Sequence, residues 1–264
     1  MTGVEAHGGL PAEIQLVAEG PLRTVTLHRP DQLNATNAEL HRGISEVWRF
    51  LADDPEAKVV ILTGAGTAFS AGGDFGFMVQ LQQDAAFRER TMEEARRILL
   101  DMLRFPLPVI AAVNGPAVGL GCSLALSCDL VLLSDRAHLA DPHLNVGLVA
   151  GDGGAALWPL YTSLLRAKEF IFTGERIEPA LAVQLGLANR VVPHEQLLPE
   201  ARRLAEKLAR LPQRALRDTK RALNTHAEKA VTGPLEIAIQ AELASMVSTE
   251  HEERVRKLIA KSKA

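Results

Sequence analysis

The chain has 264 residues, 47% hydrophobic and 23% charged, with a formal net charge of −3. That balance allows a globular protein with a sizeable core, and no apolar run is long enough to span a membrane. The absence of a basic field and an aromatic content of only 4% argue against nucleic acid as a partner. Two cysteines, Cys122 and Cys128, stand in an apolar stretch with no metal-ligand spacing around them. They read as buried free thiols in a reducing, cytoplasmic setting, and the N-terminus has no signal-peptide pattern.

Residues 1–11 carry no periodic pattern and read as a loose end. Residues 13–19 and 22–28 alternate apolar and polar side chains around Glu19-Gly20-Pro21, a hairpin signal. In 37–52, Leu40, Ile44, Val47 and Leu51 recur at helical spacing. The apolar run Val59-Val60-Ile61-Leu62 predicts a buried strand, and it leads to the turn Phe69-Ser70-Ala71-Gly72-Gly73-Asp74. Residues 84–104 form a charged amphipathic helix that Pro106 and Pro108 bring to an end before a strand at 109–113. A second glycine-rich turn follows, Asn114-Gly115-Pro116-Ala117-Val118-Gly119-Leu120-Gly121. Two such turns side by side can aim free backbone N–H groups at one point, the arrangement of an oxyanion hole; on their own they are equally tight turns that need glycine for φ > 0.

A short buried helix is predicted at 121–127 and a strand at 130–133, so strands and helices alternate to about residue 140, a layered α/β pattern. Helices at 155–172 and 178–186 and a strand at 189–192 come next. From Leu197 onward the pattern is helical, punctuated by Pro212 and by Gly233-Pro234, with two amphipathic segments in 234–261. Trp158 and Phe172 read as core, Asp129 as structural, and Asp74 as a turn or helix cap. The two regions are an α/β core over 12–195 and a helical C-terminal region over 196–264.

The ordered set Leu27-His28-Arg29-Pro30-Asp31-Gln32-Leu33-Asn34-Ala35, the first glycine turn, Pro108 to Gly115, Cys128-Asp129, Phe172-Thr173-Gly174-Glu175 and Leu185-Gly186-Leu187-Ala188 resembles the enoyl-CoA hydratase/isomerase (crotonase) superfamily. The resemblance runs from about Ile14 to about Leu258. It implies a spiral of ββα units with a helical C-terminal region used in a homotrimer or dimer of trimers. It also implies an acyl-CoA thioester as substrate, with no metal and no further cofactor. The thioester carbonyl would lie between the backbone N–H groups of Gly73 and Leu120, which stabilise an enolate. The resemblance places CoA contacts at Arg29, Asn34 and Ala71, and Lys220 in the basic run of a late helix; a solvated loop or helix face is the alternative for the charged residues.

Family hydratases use two glutamates as acid and base. This chain has Ser123 and His143 at those positions, in Gly119-Leu120-Gly121-Cys122-Ser123 and Asp141-Pro142-His143. Asp152 follows His143 in a Pro-His…Gly-Asp-Gly segment that is similar to the oxocamphor hydrolase branch, whose members cleave C–C bonds in cyclic β-diketones. That branch has a histidine where Leu120 stands and lacks Gly119, positions at which this chain follows the CoA-thioester enzymes. A His143/Asp152 pair can move protons, since Asp fixes the imidazole and stabilises its charged form. Asp152 is also placed to cap a helix, His143 to be a wall residue, and Ser123 to bond back within its helix. Three readings follow: an acyl-CoA hydratase or isomerase using His143, Asp152 and Ser123, a C–C or thioester hydrolase, and a non-catalytic acyl-CoA-binding protein.

Overall fold

The computed structural model describes residues 4–5 and 9–262. The loose end expected over 1–11 therefore lies largely outside the described residues, although Val4–Glu5 forms a short strand, β1. The predicted hairpin is β2 (Ile14–Glu19) and β3 (Leu22–Leu27), antiparallel across Gly20. Helix α1 (Ala38–Ala52) begins at Asn37, whose Oδ1 accepts the Leu40 N–H at 2.8 Å. After β4 (Val59–Gly64) come α2 (Phe75–Gln83) and α3 (Ala85–Arg104). Asp74 and Asp84 cap them, accepting the N–H groups of Phe77 and Phe87. A side-chain oxygen at each start satisfies a backbone donor that the helix leaves open.

The chain continues through β5 (Val109–Val113), β6 (Pro116–Val118), α4 (Leu120–Leu126), β7 (Leu130–Ser134) and β8 (His138–Ala140). Then follow α5 (Gly154–Tyr161), α6 (Leu164–Thr173), α7 (Pro179–Leu185) and β9 (Arg190–Val192). Helices α8 (Leu197–Ala209), α9 (Gln213–Ser245) and α10 (Thr249–Ser262) complete it. The main sheet has seven strands in the order β1-β2-β3-β4-β5-β7-β9, antiparallel up to β3 and parallel from β3 onward. A second, two-stranded parallel sheet pairs β6 with β8. This is the α/β spiral with a helical C-terminal region that the resemblance implied. No described helix is long and apolar enough to cross a membrane.

Both faces of the main sheet are covered, which is why its parallel strands read as continuous apolar runs. Val59, Ile61, Ile110 and Leu132 pack under α8 against Leu197, Ala201 and Ala205. Val60, Leu62, Ala111 and Leu133 face the larger core with Trp48, Leu99 and Trp158. Neighbouring residues thus serve opposite layers, as the two-residue period of a strand demands.

Four expectations are corrected. The helix expected over 155–172 is two helices: Thr162 is extended, and Ser163 caps α6 by accepting the Arg166 N–H at 3.3 Å. Phe172 is 64% exposed, because α6 turns Ala167, Phe170 and Ile171 inward instead. Gly233-Pro234 does not end a helix; α9 runs through it. Val231, Leu235, Ala238 and Ile239 form one buried stripe across the proline, packed on α3 and α5, and that packing overrides the local break. Helix α2 and the small β6–β8 sheet have no counterpart among the predicted elements.

Candidate active site

The small sheet explains how the two glycine turns meet. Ser70 and Ala117 form a parallel bridge: the Ser70 N–H donates to Pro116 O at 3.0 Å and the Val118 N–H to Ser70 O at 2.9 Å. Thr36 bridges Gly73 in the same manner, donating to Gly72 O and accepting from the Asp74 N–H. These bonds use the backbone on both sides of Gly73 and leave its own N–H free. At the second turn, Gly119 donates to Ala140 O at 3.0 Å, and α4 starts at Leu120, whose N–H has no preceding helical carbonyl. Neither Gly73 N–H nor Leu120 N–H donates to a protein acceptor among the described residues. Gly119 has φ of +55°, and a Cβ there would come within 3.3 Å of His143 Cε1, so glycine alone fits the turn comfortably.

Both Gly73 and Leu120 line a cavity of about 560 Å³, a size ordinary for a small-molecule site. Its walls are largely apolar, and His143, Asp152 and Glu242 supply the ionisable groups beside the second turn. His143 opens the short helical turn after β8 and stands between two carboxylates. Its Nδ1–H donates to Asp141 Oδ1 at 2.5 Å, and its Nε2 lies 3.3 Å from Asp152 Oδ2. Asp141 is fully buried and Asp152 is 13% exposed. Burial works against a charged imidazole, but Asp152 and Asp141 outweigh it, and His143 is held protonated well above its ordinary range. The Ser123 hydroxyl donates to Asp152 Oδ1 at 3.4 Å. Asp152 therefore does not cap α5; Gly153 occupies that position.

Glu242 enters from α9, roughly 90 residues after Asp152 in the chain. It is buried, and its Oε2 has no hydrogen-bond partner. Burial first, and then the negative charge of Asp152, push its carboxyl up to about 8. Glu242 is therefore a neutral acid at pH 7, in the same cavity as an imidazolium–carboxylate pair. Neither Glu242 nor Asp141 was among the residues expected at the site. A sequence signal for Glu242 exists: it falls on the apolar stripe Leu235, Ala238, Ile239, a buried face on which a carboxylate is out of place.

The remaining expected residues are dispersed. Ala71 lines the cavity. Asn34 is buried, and both hydrogens of its amide are spent on Ala65 O and Ala68 O at 2.8 Å, while its Oδ1 accepts the Arg29 N–H. It braces a loop in which Leu33 and Asn34 both take positive φ, and that loop sets the rim residues Gln32 and Leu33. Arg29 is bound to Ala35 O and to Asp74 Oδ2, the latter at 2.9 Å. Lys220 lies at a second cavity, donating to Leu107 O at 2.7 Å and to Asp129 Oδ2 at 2.6 Å. Of the four positions expected to contact CoA, only Ala71 belongs to the cavity that holds His143.

The close approach of Asp141 depends on Gly154, where a Cβ would lie 1.8 Å from Asp141 Oδ2. Gly154→Ala is expected to push Asp141 off His143 Nδ1 and to lower any activity of the site by more than about tenfold. The stability loss from overpacking should be about 1–3 kcal/mol. Steady-state kinetics beside a denaturation curve checks both.

The family model described as enoyl-CoA hydratase/isomerase matches residues 18–262. The chain is a member of the enoyl-CoA hydratase/isomerase family. It is similar to a crotonyl-CoA hydratase from Syntrophomonas wolfei subsp. wolfei, 31% identical over 252 residues that cover 95% of this chain and 96% of that protein. Among solved structures it matches an enoyl-CoA hydratase/isomerase from Mycobacterium paratuberculosis with a TM-score of 0.92. The two are 50% identical, over 94% of this chain and 99% of the other. It also matches a β-diketone hydrolase from the cyanobacterium Anabaena sp. PCC 7120, with a TM-score of 0.83 and 30% identity over 89% of this chain and 94% of that one. That hydrolase was solved bound to (S)-3-oxocyclohexyl acetic acid.

Proposed function

We propose that this protein acts on an acyl-CoA thioester and stabilises its enolate with the backbone N–H groups of Gly73 and Leu120. Protons move through Asp152, held by His143, and through Glu242. One observation carries this reading: two unspent N–H groups share an apolar cavity with an imidazolium clamped by Asp141 and Asp152. Fixed donors in a site that excludes water are worth far more to a developing oxyanion than the same donors in bulk solvent.

For hydration of a 2-enoyl-CoA, a water bound at Asp152 gives up its proton to that carboxylate as its oxygen bonds to C3. The electron pair of the double bond moves to the thioester oxygen between Gly73 and Leu120. Glu242, neutral at pH 7, then delivers a proton to C2. The imidazolium of His143 keeps Asp152 oriented and compensates its charge, so the proton-accepting atom in this scheme is a carboxylate oxygen. Migration of a double bond would use the same enolate and one proton carrier.

A second reading, C–C hydrolysis of a β-diketone, is favoured by the likeness to the Anabaena hydrolase together with the His143–Asp152 contact. There the activated water attacks one carbonyl, the bond to the central carbon breaks, and the electron pair becomes the enolate of the second carbonyl. Turnover in oxygen-18 water decides between them. Crotonyl-CoA, a 3-enoyl-CoA and a cyclic β-diketone, free and as its CoA thioester, are incubated with the protein and analysed by mass spectrometry. Label at C3 of an acyl-CoA is expected. Label in a newly formed carboxylate would establish the hydrolase, and binding without any product would leave a carrier of acyl-CoA.

A further inference from the structure

Most of the wall beyond the glycine turns is hydrocarbon, from Phe77, Leu81, Met92 and Met246. His41 on α1 breaks that pattern: it lines the same cavity and is 3% exposed. Its Nδ1–H donates to Glu94 at 2.7 Å, since a carboxylate can only accept. Its Nε2 has no protein partner among the described residues. Two threonine hydroxyls lie in the same wall. Thr36 Oγ1 is buried without a partner, and Thr91 stands one turn before Glu94 on the same face of α3. A buried hydroxyl without a partner, as at Thr36, is costly and is satisfied if a ligand brings an oxygen to it, with His41 Nε2 and Thr91 in the same wall.

We infer that the acyl group of the substrate is bulky and carries a hydroxyl remote from the thioester, and that His41 Nε2 reads it with the help of the threonine hydroxyls. This rests on reading the cavity as the acyl pocket. A hydroxyl suits the imidazole in either state, donating to a bare Nε2 or accepting from Nε2–H. One wall residue touches both ends. A Cβ on Gly73 would lie 3.7 Å from the Phe77 ring, and that ring is 5.7 Å from the His41 ring between centroids. Phe77 thus flanks both the Gly73 turn and His41, and a substituted six-membered ring is the probe chosen to lie along that wall.

The test measures binding of 4-hydroxycyclohexanecarboxyl-CoA and cyclohexanecarboxyl-CoA, and of the two free acids, to wild type and two variants. His41→Asn keeps a donor where Nδ1 meets Glu94 but removes the Nε2 position. His41→Gln keeps a nitrogen near the Nε2 position and loses the bond to Glu94. Wild type and His41→Gln are expected to prefer the hydroxylated member about tenfold, and His41→Asn to lose the preference while binding the plain member unchanged. A preference that survives in His41→Asn and vanishes in His41→Gln would make His41 a structural partner of Glu94 and overturn the inference. A His41-dependent preference seen with the acids, without binding of either thioester, would sustain the inference and defeat the CoA reading. Absence of a preference in both formats overturns the inference, whatever the thioesters do.

Discussion

Replacing His143 by alanine is expected to lower kcat by about 10²–10⁴, with much less effect on affinity for CoA ligands. The reason is the position of the imidazolium between Asp141 and Asp152, with no other cation bonded to either carboxylate among the described residues. Its removal leaves two negative groups facing each other, one of them fully buried, and the loss should be about 3–5 kcal/mol of stability. Asp141→Asn in the same chain removes one of the two charges and should restore much of the stability without restoring turnover. Urea denaturation and single-turnover kinetics on the wild type, the single and the double variant separate these effects. An unchanged kcat in His143→Ala would take the imidazole out of the mechanism.

Glu242→Gln is expected to give a protein that is more stable at pH 8 and much less active. The Glu242 carboxyl rises from an ordinary 4.5 to about 8 in the folded chain, through burial and the charge of Asp152. Between those values the folded state holds a proton that the unfolded state has released. The unfolded chain binds fewer protons across that window, so stability falls as pH rises through it. Glutamine has no charge to bury and removes this slope, a gain on the order of a few kcal/mol at pH 8. The raised His143 acts in the same direction: its stabilisation is full below the unfolded value and is lost as pH rises through the folded one. That part of the slope stays in the variant. Turnover should drop by about 10²–10³, because the amide cannot donate a proton to carbon, and the wild-type rate should decline above pH 8. Denaturation midpoints and kcat measured from pH 5 to 9 check both halves; a steeper loss of stability in the variant would contradict the assignment.

The fold was legible where one local signal was enough. The helices read over 37–52 and 84–104 start at Asn37 and Asp84, each of which accepts a backbone N–H, and Asp74 is a cap as read, of a helix with no counterpart among the predicted elements. The buried strands followed from their unbroken apolar runs, and the glycine turns from their position after those strands. His143 and Asp152 came as a pair through the resemblance, and the geometry places them 3.3 Å apart. What local sequence could not give was assembly. Asp141 lies in a stretch where no element is predicted, and only the room left at Gly154 lets it reach His143. Glu242 falls on an apolar stripe, but only the packing of α9 on α5 brings it into the cavity of His143 and Asp152. Lys220 looks like part of a solvated basic face, yet it is buried and tied to Asp129 and Leu107. Gly233-Pro234 reads as a stop because the local cost is real, and a stripe of tertiary contacts decides against it.

The cavity is lined by Glu242 and Leu258 of the last two helices and by Met246 of the turn between them, whereas Gly73, Leu120 and His143 belong to the first 150 or so residues. On the ribosome the two glycine turns are therefore synthesised while Glu242 and the chamber floor have yet to be made, since the chain grows from its N-terminus. Nascent chains that stop within α9 would present an open, greasy trough in place of a pocket. Such chains would be visible to chaperones through the same hydrocarbon surface that the finished protein reserves for its ligand.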